Sequence, residues 1–160
     1  MTIFDIFDEV GIKSYSSIDV NEIPFDKSFR TLCEMNSCGK YNTSWSCPPA
    51  CGDIESLIKT AKTYRTAYVF SYFDSIDDSY DIENMLRIGN EFAQIIDKIK
   101  ALIKEKLHID ALYMGAGSCN RCKECSYLIN QPCRYPDLLS YSLETYGIGV
   151  SQLALKCNMK

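Results

Sequence analysis

The stretch Ile109-Asp-Ala-Leu-Tyr-Met114-Gly115-Ala-Gly117-Ser118-Cys119-Asn-Arg-Cys122-Lys-Glu-Cys125 runs a short apolar segment straight into three evenly spaced cysteines. Residues 109–114 read as a strand. Upstream, residues 66–73, Thr-Ala-Tyr-Val-Phe-Ser-Tyr-Phe, are β-branched and aromatic and read as another strand. Between the two lies an apolar stripe at helical spacing: Ile82, Met85, Leu86, Phe92, Ile95, Ile96, Ile99, Leu102, Ile103 and Leu107. The cost of Gly89 within that helix is small beside the stripe. Strand, helix and strand imply a crossover unit with a parallel pair. The expected fold class is therefore α/β: a small, at least partly parallel sheet with flanking helices and its sites on cysteine-rich loops beyond the strand ends.

Continuing through Ser-Tyr-Leu-Ile-Asn-Gln-Pro132 to Cys133, the loop holds four cysteines within fifteen residues. Two-residue gaps let one tight backbone wrap aim Cys119, Cys122 and Cys125 at a common centre, as in ferredoxin-type runs that hold iron–sulfur clusters. The last gap is seven residues rather than three, and Cys133 leads into Arg-Tyr-Pro136. The fit to a two-cluster ferredoxin is thus incomplete, and the loop can close on a cluster of its own. Four thiolates also suit structural zinc, although zinc ribbons usually split their ligands into two separated pairs.

A second group, Cys33, Cys38, Cys47 and Cys51, has gaps of four, eight and three residues. Pro48 and Pro49 stiffen the chain just after Cys47. This spacing is less specific, but four cysteines in nineteen residues are hard to explain as core filling. Tyr41 and Trp45 lie among them as candidates for shielding a cluster. Asp53 reads as the cap of a helix with the stripe Ile54, Leu57, Ile58, Ala61 and Tyr64. A helix N-terminus beside Cys51 favours a thiolate there.

The remaining chain is less informative. Residues 3–10 carry a short helical pattern stopped by Gly11, and residues 12–46 show no period and read as loops. Residues 138–146 and 150–157 read as two short helices separated by Gly147 and Gly149. Gly115 and Gly117 lack the third glycine and following helix of a nucleotide-binding turn. His108 closes the long helix and is not expected to be a ligand.

With 160 residues, 46% hydrophobic and 24% charged, the chain fits one domain, residues 1–160, and can bury a core without disulfide staples. Asp5, Asp8 and Glu9 stand where a secretory signal needs positive charge, so a cytoplasmic protein with reduced thiols is expected. No apolar run suits a bilayer. A net charge of −4 without a basic block argues against nucleic acid as a partner.

Cys33-x4-Cys38-Gly-Lys-Tyr41, Trp45-Ser-Cys47-Pro-Pro49, the Gly-Ala-Gly-Ser-Cys119 run, Pro132-Cys133-Arg-Tyr-Pro136 and Ser142-Leu-Glu144-Thr-Tyr-Gly-Ile148 together resemble DUF2284, a cysteine-rich, predicted metal-binding family of unknown function. The resemblance covers nearly the whole chain and implies an iron–sulfur protein without an assigned reaction. The family's first motif rests on positions matching Cys33, Cys38 and Cys47, which leaves Cys51 outside it. Members run on past the position of Lys160 into a closing strand pair. Since a two-stranded sheet is marginal alone, a smaller sheet or an edge supplied by a partner chain, as in a homo-oligomer, is expected.

Three functional readings follow. The first is electron transfer with a redox protein partner through two [4Fe-4S] clusters, one on Cys119, Cys122, Cys125 and Cys133 and the other on Cys33, Cys38, Cys47 and Cys51, with Cys157 spare or replacing Cys51. The second is an enzyme of reductase or desulfurase type with an open-site cluster, in which Lys40, Tyr41, Arg134 or Glu144 supplies acid–base or anion-binding groups. The third is a zinc-stabilised interaction module.

Overall fold

The computed structural model describes residues 1–36, 39–71, 82–115, 119 and 121–159. Cys38, the acidic segment 74–81 and Ala116-Gly-Ser118 lie outside the described residues. Two compact units divide the chain: residues 1–17 with 68–111, and residues 18–67 with 112–160.

In the first unit, helix α1 (Ile3–Glu9) starts on a reciprocal cap. Thr2 Oγ1 accepts from the Asp5 N–H at 3.3 Å, and the Asp5 carboxylate accepts from the Thr2 N–H at 2.8 Å. It ends where Gly11, at φ +87°, lets the Ile12 N–H return to the Phe7 carbonyl at 2.9 Å. Both the helix and its glycine stop match the sequence reading. Ile6 and Phe7 are buried, and Phe7 meets Phe70 at 5.0 Å between ring centroids. Phe70 belongs to β2 (Thr66–Ser71), which pairs with β1 (Ser14–Asp19).

Helix α4 (Ile82–Leu102) buries Ile96 and Ile99 and continues as a π-helical turn over Ile103–Leu107. His108 ends it in the left-handed region at φ 53°, its N–H donating to the Ile103 carbonyl. That is a capping role played by its backbone.

In the second unit, α2 (Ser28–Glu34) begins where the Asp26 carboxylate accepts from the Ser28 N–H and hydroxyl at 2.9 and 2.6 Å. Strand β1 and helix α2 both fall in the stretch read from sequence as loops; neither is long enough to show a period. Helix α3 (Ile54–Ala61) follows the sequence reading closely: Asp53 caps it through the Ser56 N–H at 2.9 Å, and Ile54, Ile58 and Ala61 are buried. Strands β3 (Met114–Gly115) and β4 (Tyr141–Ser142) pair in parallel, Met114 opposite Tyr141. Helix α5 (Val150–Lys156) ends the chain with Leu153 buried.

Two expectations are corrected here. The segments around 66–73 and 109–114 do not pair: β2 joins β1, while β3 shrinks to two residues and joins β4. A parallel pair needs a long connection, and residues 116–140 supply it, so the cysteine loop is itself the crossover. Residues 138–146 are not a helix but contain β4 and a 3-10 turn, Glu144–Tyr146, which packs against α2 and α3. Gly147 stops that turn at φ +77°. A Cβ on it would stand 2.9 Å from the Asp26 carbonyl oxygen, whose neighbouring N–H donates to the Gly147 carbonyl at 2.7 Å.

Candidate metal centre

Both cysteine groups lie in the second unit. In the later loop, Cys125 leads into a 3-10 turn over Ser126–Ile129, and Asn130 reverses the chain from the left-handed region at φ 55°. The Ser126 side chain, buried beneath the turn, donates to the Pro132 carbonyl at 2.8 Å. The Gln131 N–H donates to the Ser126 carbonyl at 3.0 Å. These bonds fold the seven-residue gap back on itself. Cys133 consequently lines one cavity with Cys119, Cys122 and Cys125, beside Arg121 and Arg134. Arg134 also donates to the Glu124 carbonyl at 2.8 Å, bracing the wall of the loop.

That cavity measures about 30 Å³, room for one or two waters at roughly 10–15 Å³ each. Among the described residues, no three His, Cys, Asp or Glu side chains are drawn up as a metal-ion shell. The donor chemistry still fits thiolate-bound metal: four free thiols with two guanidinium groups beside them. A single ion takes up less of such a cavity than a four-iron cluster does.

In the first group, Cys33 sits half-buried in the last turn of α2, and Cys47 and Cys51 are buried at 9% and 6% exposure. A turn of helix-like hydrogen bonding, the Cys51 N–H to the Cys47 carbonyl at 3.2 Å, holds the latter two together across Pro48 and Pro49. Burial pushes the Cys51 thiol up, Arg30 opposes this, and Cys47 and Cys33 add to it. These three cysteines therefore share one neighbourhood. At the nearby α3 N-terminus, Asp53 satisfies a first-turn donor.

Sequence reasoning missed Arg30, which is buried in α2. Its Nη1 donates to the Gly52 carbonyl at 2.5 Å and its Nη2 to Cys51 Sγ at 3.5 Å, while its Nε is buried with no hydrogen-bond partner. A buried guanidinium with one orphaned donor, touching Cys51 Sγ through another, suits a site that takes up negative charge. Nothing in the local sequence distinguishes Arg30 from a surface arginine.

The two groups are tied together. Ser46, 1% exposed, accepts from the Cys119 N–H at 3.0 Å, while its hydroxyl also faces Cys47 Sγ at 3.8 Å. Trp45 Nε1 donates to the Gln131 carbonyl at 3.0 Å, and its ring meets Tyr127 edge-on at 5.0 Å. Tyr127 in turn donates to Asn42. The indole of Trp45 thus acts as a strut between the loops. Half-buried Tyr141, on β4, has its phenol pushed up by burial and then by the charges of Cys51 and Cys133, so it senses both groups. Of the other candidates, Lys40 is exposed, Glu144 opens the 3-10 turn, and Cys157 is buried at the end of α5.

The later loop wraps four cysteines around one thiol-lined hollow, and the class the chain falls in is that of predicted metal-binding proteins. Specifically, residues 16–160 match DUF2284, described as a predicted metal-binding protein family, and the chain belongs to that family. No curated protein and no solved structure matches it. Among the described residues, no helix is long and apolar enough to cross a membrane.

Proposed function

We propose that this chain is a cytoplasmic iron–sulfur protein that holds two [4Fe-4S] clusters and passes electrons to or from a redox protein partner. The observation that carries this reading is the closure of the 119–133 loop, which gathers Cys119, Cys122, Cys125 and Cys133 around one cavity. Three of the four ligands come from consecutive two-residue gaps, the spacing that iron–sulfur loops use. Each cluster would supply one-electron storage. The chain's own groups set the surroundings: Arg121 and Arg134 place positive charge beside the later centre, and Ser46 joins it to the earlier one through Cys119.

The size of the cavity favours a second reading, a zinc-stabilised interaction module, because about 30 Å³ is closer to the space of a single ion than of a four-iron cluster. Anaerobic purification followed by metal and sulfide analysis separates the two. Iron and acid-labile sulfide at about eight each per chain, with a brown absorption spectrum, are expected for two four-iron clusters. A colourless protein with stoichiometric zinc and no sulfide overturns the electron-transfer reading in favour of the module.

A further inference from the structure

We propose that Arg30 is the built-in counter-charge of the first cysteine centre, and that Cys51 is the ligand it holds in place. This rests on reading Cys33, Cys47 and Cys51 as part of a metal centre. The guanidinium stays charged at any physiological pH, and burying a charge is costly unless an opposite charge or full hydrogen bonding compensates. Arg30 is 9% exposed, and although the exposed Asp53 carboxylate interacts with it weakly from a distance, no ion pair among the described residues includes it.

Its contacts are a carbonyl and a sulfur: Gly52 at 2.5 Å and Cys51 Sγ at 3.5 Å, with Nε buried and unpartnered. A neutral thiol is a weak acceptor and no counter-charge. Four thiolates around a dipositive ion or iron–sulfur core carry a net charge of about −2, and an anionic centre of that kind supplies what the guanidinium lacks. Cys51, the cysteine that Arg30 touches, is then a ligand rather than a spare thiol.

A purely structural role is the competing explanation, since the bond to Gly52 also clamps α2 to the turn before α3. A clamp affects folding but not the energy of adding an electron to the centre. Positive charge beside a ligand sulfur favours the reduced, more negative state, so its removal makes reduction harder.

The test compares the anaerobically purified full chain as wild type, Arg30→Lys and Arg30→Gln, each also carrying Cys51→Ala. Metal and sulfide are counted, chelator competition is run, and the reduction potential of each centre is followed by paramagnetic resonance at poised potentials. In Arg30→Gln the first centre is expected to lose metal to chelator at least tenfold more readily. Its one-electron potential is expected to fall by a tenfold change in the oxidised-to-reduced ratio, about 59 mV. Arg30→Lys is expected to recover most of both effects, the 119–133 centre to stay unchanged, and Arg30→Gln to add nothing when Cys51 is already Ala.

Wild-type chelator resistance and potential in Arg30→Gln overturn the proposal, as do equal losses in Arg30→Lys and Arg30→Gln. If Arg30→Gln does not fold, Arg30→Lys decides alone: a first centre with near-wild-type potential is expected because the charge is kept, and a potential lowered by the full tenfold shift expected of Arg30→Gln overturns the proposal. A zinc-loaded wild type without sulfide overturns the iron–sulfur reading only, and chelator competition then still decides the role of Arg30. Metal confined to the 119–133 loop overturns the first centre and the role of Arg30 together.

Discussion

The backbone N–H of Cys119 donates to the buried hydroxyl of Ser46 at 3.0 Å, joining two cysteine loops that lie seventy-three residues apart in the chain. Ser46 also meets Ser44 Oγ at 2.9 Å, so this hydroxyl is the knot of a small buried network. The consequence is that neither loop is positioned by its own sequence alone.

Replacing Ser46 by alanine is expected to leave the Cys119 N–H without its protein partner. An unsatisfied buried donor costs about 1–3 kcal/mol, and this part-buried site places the loss at about 1 kcal/mol, the low end of that range. Urea titration of the metal-loaded protein checks this, and a midpoint equal to wild type at unchanged slope counts against the knot.

The Cys122→Ser chain is expected to lose the 119–133 centre and keep the other. Cys122 lines the later cavity, whereas Cys47 and Cys51 sit with Arg30. Metal analysis and paramagnetic resonance provide the readout, and loss of all metal from a correctly folded variant shows that the centres are interdependent.

Cys51→Ser is expected to weaken the first centre by at least tenfold in metal retention, because Cys51 is buried beside Cys47 and held by Arg30. On the proposed reading, Cys51 would close the cluster and leave exogenous ligands no open iron. Anaerobic titration of wild type with cyanide or a thiol is expected to leave the resonance of the reduced protein unmoved. A ligand-induced shift points instead to an enzyme with an open-site cluster.

Tyr146 gives the protein an alkaline weakness. Burial, with smaller contributions from Tyr141, Tyr64 and Cys51, pushes its phenol up to about 12, against about 10 in an unfolded chain. The unfolded state therefore releases this proton first, so the stabilisation is complete below about pH 10 and is lost as the pH climbs towards about 12. Tyr146→Phe is expected to flatten this part of the stability profile, measured by urea unfolding from pH 9 upward, and an unchanged slope counts against the buried phenol.

The sequence by itself determined the features that are encoded locally. Asp53 and the stripe through Ile54, Ile58 and Ala61 announced α3, Gly11 announced the end of α1, and the gaps of Cys119, Cys122 and Cys125 announced a loop that turns its cysteines to a common cavity. Caps and helical stripes involve residues three or four apart, so their physics is contained in a short window. Tertiary structure alone decided that β2 pairs with β1 and β3 with β4, since strand pairing joins distant segments by backbone bonds any residue can make. Tertiary structure also decided that Ser126 and Pro132 fold Cys133 back beside Cys119, that Ser46 ties the two cysteine loops, and that Arg30 reaches Cys51. Such contacts depend on burial and on which groups the folded chain leaves without water, and no spacing of residues along the sequence records that.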